Sequence, residues 1–353
     1  MPAKQPQCRI STGSQFSTGV VMAQGSPGEG RPTIVIPDDI NGSFAGSPEL
    51  ARLQELGQVE LHQDRPRDEA ALIERIRHAD VVLTFRPAFT RFPQQVLQAA
   101  PRLRMVCVSG TGVEDVDVAE ATARRIAVAN VVGSSNQAVA ELCVAFMFML
   151  ARHVSRQDQT IRQGGWEAQQ GIELGGRTLG IIGISGISTQ LIHMARGIGM
   201  EVISWSRNND PARAQALGAT AVSFDEVLAR SHVVSLHVRL NDETRNMIGA
   251  AEFARMQPGT LFINTARGGI VDESAMAAAL TSGQLGGAGL DVFAETPLPA
   301  GHPLLSLDNV VMTPVSAWNT VDASRRMISL SIDNVVGYLT GAPLNVVNSA
   351  VLS

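Results

Sequence analysis

From Pro32 onward, short runs of β-branched and aliphatic residues alternate with stretches in which apolar positions recur at helical spacing. "PTIVIPDD", "QVELHQ", "DVVLTF" and "LRMVCVSG" read as strands, and "PELARLQELG", "DEAALIERIRHA" and "FPQQVLQAAP" between them read as helices. That alternation marks a parallel sheet with crossover helices, so this part of the chain is expected to form one α/β domain.

The segment "SSNQAVAELCVAFMFMLARHVSRQDQTIRQGGW" breaks the rhythm. It is too long for a crossover and is expected to be one helix, stopped by the glycines of "QGGW". A second series follows in "RTLGIIGISG", "MEVISWSR", "HVVSLHV", "GTLFINTARG" and "LGGAGLDVF", whose near-continuous apolar runs suit strands buried on both faces. "NVVMTP" reads as a last strand, and "DASRRMISLSIDNVVGYLTG" as an amphipathic helix placed to return to the first domain. The expected organisation is a doubly wound parallel-sheet domain, 131–314, inserted in a discontinuous one, 32–130 with 315–353. Residues 1–31 are expected to be a flexible tail.

That tail is rich in Gly, Ser and Gln, has no acidic residue before Glu29 and lacks a sustained apolar run, which argues against a secretory signal. Lys4 and Arg9 alone supply its positive charge before Arg31, few for a transit peptide, and Met22 is an alternative start. The 353 residues are 44% hydrophobic with a net charge of −5, enough chain for two cores. The 28 basic residues are dispersed and leave no footprint for nucleic acid; Arg325 and Arg326 read as a solvated helix face. Cys8, Cys107 and Cys143 are odd in number and lack metal spacing, and the last two sit in apolar runs as buried thiols. No metal site, no membrane insertion and a cytoplasmic location are therefore expected; "LCVAFMFMLA" is about half a membrane span.

The stretches "VSGTGVEDVDV", "NVVGSSNQAVAEL", "RTLGIIG", "SLHVRLNDETRNMI", "FINTARGGIVDESAMAAAL", "GAGLDVFAETPL" and "NVVMTP", in this order, resemble the D-isomer-specific 2-hydroxyacid dehydrogenases over about residues 32 to 348. The resemblance implies a Rossmann-like cofactor domain inserted in a substrate domain, a cleft between them, NAD or NADP as cofactor, a small carboxylate as substrate, and a homodimer built on the helix near 135 to 155. It also implies three catalytic positions: an arginine that holds the carboxylate and carbonyl, a histidine that exchanges the proton, and a glutamate that orients the histidine. Imidazole suits that exchange because its pKa lies near neutrality.

Arg267 in "NTARGG" matches the arginine, and its planar fork suits a carboxylate. The amides of Ser109, Gly110, Thr111 and Gly112 are expected to complete an anion nest. The other two positions depart from the pattern. Thr296 stands where the glutamate falls in D-V-F-x-x-E-P, and Val315 stands where histidine follows T-P. Glu295 is one residue too early, and adjacent side chains of an extended segment point to opposite faces. Of the seven histidines, His237 is the best substitute acid, though a cofactor-side or structural role suits it better. Trp318 and Val315 would form an apolar wall.

The phosphate loop departs as well. In "GIIGISGIS", Gly183 keeps the first position, Ser185 and Ser188 replace the second and third glycines, and Gly186 comes one residue late. A Cβ at Ser185 intrudes where phosphates approach most closely, so weakened binding is expected, although the hydroxyl could also donate to a phosphate. Ser206 and Arg207 replace the acid that pairs with ribose hydroxyls, which inclines the site toward NADP. Thr265, Ala266 and Asp291 complete the expected cofactor lining. Three functions stay open on these residues: a redox enzyme with an unconventional proton source, a non-catalytic ligand-binding or regulatory protein, and a recruited lyase, isomerase or dehalogenase.

Overall fold

The computed structural model describes residues 30–85, 88 and 90–352. The expected tail before residue 30, with Cys8, lies outside the described residues.

The first sheet is built from β1 (Thr33–Ile36), β2 (Gln58–Leu61), β3 (Val81–Phe85), β4 (Met105–Ser109) and β5 (Ala127–Asn130), in the order β2-β1-β3-β4-β5 and parallel throughout. Its crossovers run through α1 (Leu50–Leu56), α2 (Glu69–Ile76), α3 (Gln94–Gln98) and α4 (Val118–Ala123). Every residue of β1, β3 and β4 is buried, which is why their sequences read as apolar runs without alternation. Asp68 and Asp117 cap α2 and α4 by accepting from the Ala71 and Glu120 amides, closing helix starts that the backbone alone leaves open.

The chain then enters α5 (Asn136–Ala151) and α6 (Val154–Arg162), which meet at a 63° bend. The single long helix expected here is thus broken. His153 sits at φ 52°, in the left-handed region that ends a right-handed helix, and α6 buries no residue that would hold it in line with α5. No single helix among the described residues is long and apolar enough to cross a membrane.

The second sheet contains β6 (Thr178–Ile182), β7 (Glu201–Trp205), β8 (Thr220–Ala221), β9 (Val233–Leu236), β10 (Thr260–Asn264), β11 (Leu285–Leu290) and β12 (Val310–Met312), ordered β12-β11-β10-β9-β6-β7-β8 and again all parallel. Its helices are α7 (Gly186–Gly197), α8 (Pro211–Leu217), α9 (Phe224–Arg230), α10 (Ala250–Arg255) and α11 (Glu273–Thr281). One face packs Cys143, Phe146, Met147 and Leu150 of α5 with Leu191, Ile192 and Ala195 of α7; the other packs Val227, Phe253, Met276 and Leu280 of α9 to α11. The glycines of "LGGAGL" follow from this arrangement, since a Cβ at Gly289 would come 2.6 Å from the Cβ of Phe146.

After β12 the chain crosses back to the first sheet. α12 (Val321–Leu339) packs Met327, Ile328, Ile332 and Val335 into the core formed by Ile34, Leu83, Met105 and Ala127. Arg52 bonds Asp333 at 2.7 Å across this contact, and Asn334 donates to the Asn130 carbonyl at 2.9 Å. The amphipathic helix read from the sequence does return to the first domain's core.

Candidate active site

The residues singled out in the second sheet share one feature: each follows the carboxyl end of a strand. Gly183 follows β6, Ser206 and Arg207 follow β7, His237 follows β9, Thr265 to Arg267 follow β10, Asp291 follows β11 and Val315 lies just beyond β12. The strands are in register, with Ile182 beside Leu236, Leu236 beside Asn264, Asn264 beside Leu290 and Leu290 beside Met312. The residues therefore gather along one edge, and the chain leaves β6 for β7 on one side while β9 lies on the other. Such a switch point is where open α/β sheets bind ligands.

Gly183, at φ 100°, makes the turn from β6 into α7, and a Cβ there would lie 2.8 Å from the His237 carbonyl. Gly186 is needed for another reason. A Cβ on it would collide with the side-chain amide of Asn136 at the start of α5, a close approach that the sequence did not reveal. The two serines act as a pair: the Ser185 amide donates to Ser188 Oγ at 2.6 Å, and the Ser188 amide donates to Ser185 Oγ at 3.3 Å. This capping box spends two amide donors of the helix start on the protein itself. The amides of Gly186 and Ile187 have no partner among the described residues and remain aimed out of the helix. The loop thus fits a dinucleotide phosphate with two open donors and the turn glycine, and with a hydroxymethyl group where the pattern has none.

His237 is buried with its Nε2 2.9 Å from Ser235 Oγ, and burial pushes its pKa down to about 4. It is neutral at pH 7. That removes it as the substitute acid, because a neutral imidazole that gives up a proton becomes an imidazolate. Thr265, expected to line the cofactor, turns its hydroxyl inward to Cys143 Sγ at 3.3 Å, and the Ala266 amide is spent on Asn264 Oδ1 at 3.0 Å. Burial raises the Cys143 thiol to about 11 and the Cys107 thiol to about 12, so both are protonated and inert. Arg207 is exposed, with Glu243 at 3.8 Å.

Asp291, expected in the cofactor lining, is engaged with the segment after β12. Its carboxylate accepts the Thr313 hydroxyl at 2.6 Å and the Ser316 and Ala317 amides at 2.7 and 3.0 Å, while its carbonyl accepts the Val315 amide at 3.1 Å. Burial raises its pKa against the pull of those three donors. Asp291 therefore folds the segment 313–317 into a tight turn, on which Val315 stands at φ 54° with 41% of its surface exposed. Trp318 packs against the core of the first sheet, and its indole N–H donates to the Val315 carbonyl at 3.0 Å.

Arg267 is exposed at the end of β10, with Nη1 donating to the Ala266 carbonyl at 2.7 Å and no ion pair among the described residues. Of the four amides expected to form a nest, Gly110 spends its own on the Val108 carbonyl, while those of Thr111 and Gly112 have no partner among the described residues. Ser109 is fully buried and its hydroxyl bonds Ser331 of α12. Thr296 and Glu295 are exposed. Their loop is tied down by Glu273, which accepts the Ala294 amide at 2.6 Å and faces His302 Nε2 at 3.4 Å beside a cavity of about 370 Å³. Among the described residues, no group of three His, Cys, Asp or Glu is placed to hold a metal ion.

Residues 144–317 match the model of the D-isomer specific 2-hydroxyacid dehydrogenase NAD binding domain. A glyoxylate reductase of Korarchaeum cryptofilum (strain OPF8) is 33% identical over 311 residues, covering 86% of this chain and 93% of that one. Among solved structures, a glyoxylate reductase from Paecilomyes thermophila superposes with a TM-score of 0.80 at 29% identity, covering 90% of this chain and 98% of that one. An acyclic imino acid reductase in complex with NADPH and D-Arg superposes with a TM-score of 0.79 at 28% identity, covering 89% of this chain and 99% of that one.

Proposed function

The chain belongs to the D-isomer-specific 2-hydroxyacid dehydrogenase family, and from that premise we propose that it is an NAD(P)-dependent oxidoreductase acting at C2 of a small carboxylate of the 2-keto/2-hydroxy acid type, with an incomplete catalytic set. The observation that carries the proposal is Arg267, an exposed guanidinium with no acidic partner among the described residues, set on the same strand edge as the Gly183 turn and the open amides of Gly186 and Ile187. A nicotinamide cofactor bound there would supply hydride.

The protein's own residues would bind and orient. Arg267 would take the carboxylate in a two-pronged contact, helped by the Thr111 and Gly112 amides. The α7 amides would take the pyrophosphate, and Ser206 with Arg207 would favour a 2′-phosphate, so NADP is the proposed preference. Trp318 and Val315 would wall the reacting carbon with apolar surface. The self-capped Ser185 and Ser188 favour a second reading, a ligand-binding homologue that has lost turnover.

We also propose a cytoplasmic homodimer. Two free, buried thiols suit a reducing compartment, and Phe148, Val154, Ile161 and Trp166 leave exposed apolar surface along α5, α6 and the segment after them.

The test is loss of NADPH and NADH absorbance with glyoxylate, hydroxypyruvate and pyruvate, in wild type and Arg267→Gln. The variant should lose about 10²-fold in kcat/KM, since a charge-assisted pair that fixes orientation is removed. Bound cofactor without any turnover in the wild type would favour the ligand-binding reading instead.

A further inference from the structure

Reduction at C2 of a keto acid moves a hydride to carbon and a proton to oxygen. Of Val315, His237, Arg267, Asp291 and Thr296, none offers that proton near neutral pH. Val315 has none to give. His237 is neutral with Nε2 on Ser235, and Arg267 is the group that would hold the carboxylate. Asp291 uses both carboxylate oxygens to accept from Thr313, Ser316 and Ala317. The Thr296 hydroxyl is too weak an acid.

Resting on the hydride-transfer reading above, we propose that the substrate of this site is an α-imino carboxylate bound as its protonated iminium, which brings to the reaction the proton that these residues do not supply. C2 of the iminium accepts the hydride of a reduced nicotinamide, the C=N π pair withdraws onto nitrogen, and the positive charge there is quenched. The nicotinamide is oxidised, the imine is reduced to a neutral amine, and that amine takes its further proton from water after release. No side chain changes protonation state.

The electrostatics agree. An imidazolium at position 315 would oppose a cationic nitrogen on C2, and valine removes that repulsion. Arg267 is left for the carboxylate at the other end of the ligand. The turn keeps its shape without a histidine because Asp291 and Trp318 hold its backbone.

The experiment compares NADPH and NADH oxidation with pyruvate alone, pyruvate with excess methylamine, and a preformed cyclic α-imino acid, and analyses the products by mass spectrometry. Alongside it, calorimetry measures cofactor binding, then alanine against lactate on the protein with oxidised cofactor. Imine reduction about tenfold or more above keto acid reduction is expected, because the proton transfer commonly worth about 10²–10⁴ is no longer required. The product should be an amino acid, and alanine should bind at least as tightly as lactate. Equal or slower imine turnover, with lactate bound more tightly than alanine, overturns this inference and leaves the proposed function standing. Cofactor binding without turnover of either substrate overturns both.

Discussion

Trp318 donates its indole N–H to the carbonyl of Val315, and this bond helps hold a β-branched residue in the left-handed region at φ 54°. Valine is poorly suited to that conformation, which costs an ordinary L-residue about 1–2 kcal/mol, whereas histidine is several-fold more common there than most side chains. The backbone of the turn is thus compatible with the imidazole that the sequence lacks.

The double variant Val315→His with Thr296→Glu should therefore fold and should raise 2-keto acid reduction by about tenfold or more over wild type. Both changes are needed, because imidazole without an orienting carboxylate has too low a pKa to stay protonated at pH 7. Steady-state assays at saturating cofactor decide it. A folded, cofactor-binding double variant with unchanged keto acid turnover would show that the turn is shaped for another ligand.

Ser185→Gly should tighten cofactor binding roughly fivefold, about 1 kcal/mol, by removing the Cβ beside the open Gly186 and Ile187 amides. It should cost the helix only a few tenths of a kcal/mol, because glycine is an acceptable cap. Ser185→Ala keeps the Cβ and should not tighten binding. Calorimetric titration of the three proteins with NAD and NADP separates the effects, and equal tightening by both variants would point to the hydroxyl instead of the Cβ.

His237 links stability to pH. Its pKa is depressed from 6.5 to about 4 by burial, so between those values the unfolded chain binds a proton that the folded chain refuses. Stability is fully present above pH 6.5 and falls as pH drops toward 4, by about 3 kcal/mol from this residue. Urea titrations across that range should show a steeper loss for wild type than for His237→Gln. Parallel curves would mean that His237 protonates freely in the folded protein.

In sedimentation at micromolar concentration the protein should run at twice the monomer mass, with Phe148, Val154, Ile161 and Trp166 in the contact. Phe148→Glu with Trp166→Glu should yield a folded monomer. A wild-type monomer with α5 intact removes the proposal.

The alternation of apolar runs with helical periods gave away both parallel sheets, because strands such as β1, β3 and β4 are buried on both faces and carry almost no polar residue. The break at His153 was not legible, since a left-handed residue followed by Val154 leaves the apolar pattern unchanged. The expectation that Thr296 and Val315 stand at the glutamate and histidine positions rests on their place in the sequence alone. What surrounds them was not legible there, because the contacts of Asp291 with the turn and of Asn136 with Gly186 join residues that are far apart in sequence. The serine pair lay three residues apart in plain view, but its role as a mutual cap depends on the turn at Gly183.

Hydride transfer at C2 of a carboxylate ligand can be followed with reduced NADP and NAD deuterated at C4 of the nicotinamide, by locating the label in the product formed from keto and imino acids. One deuterium is expected on C2 of the product, and none from deuterated solvent at that carbon. Product that carries solvent deuterium at C2 and none from the cofactor would contradict hydride transfer, and would assign the site to proton chemistry of the lyase or isomerase kind.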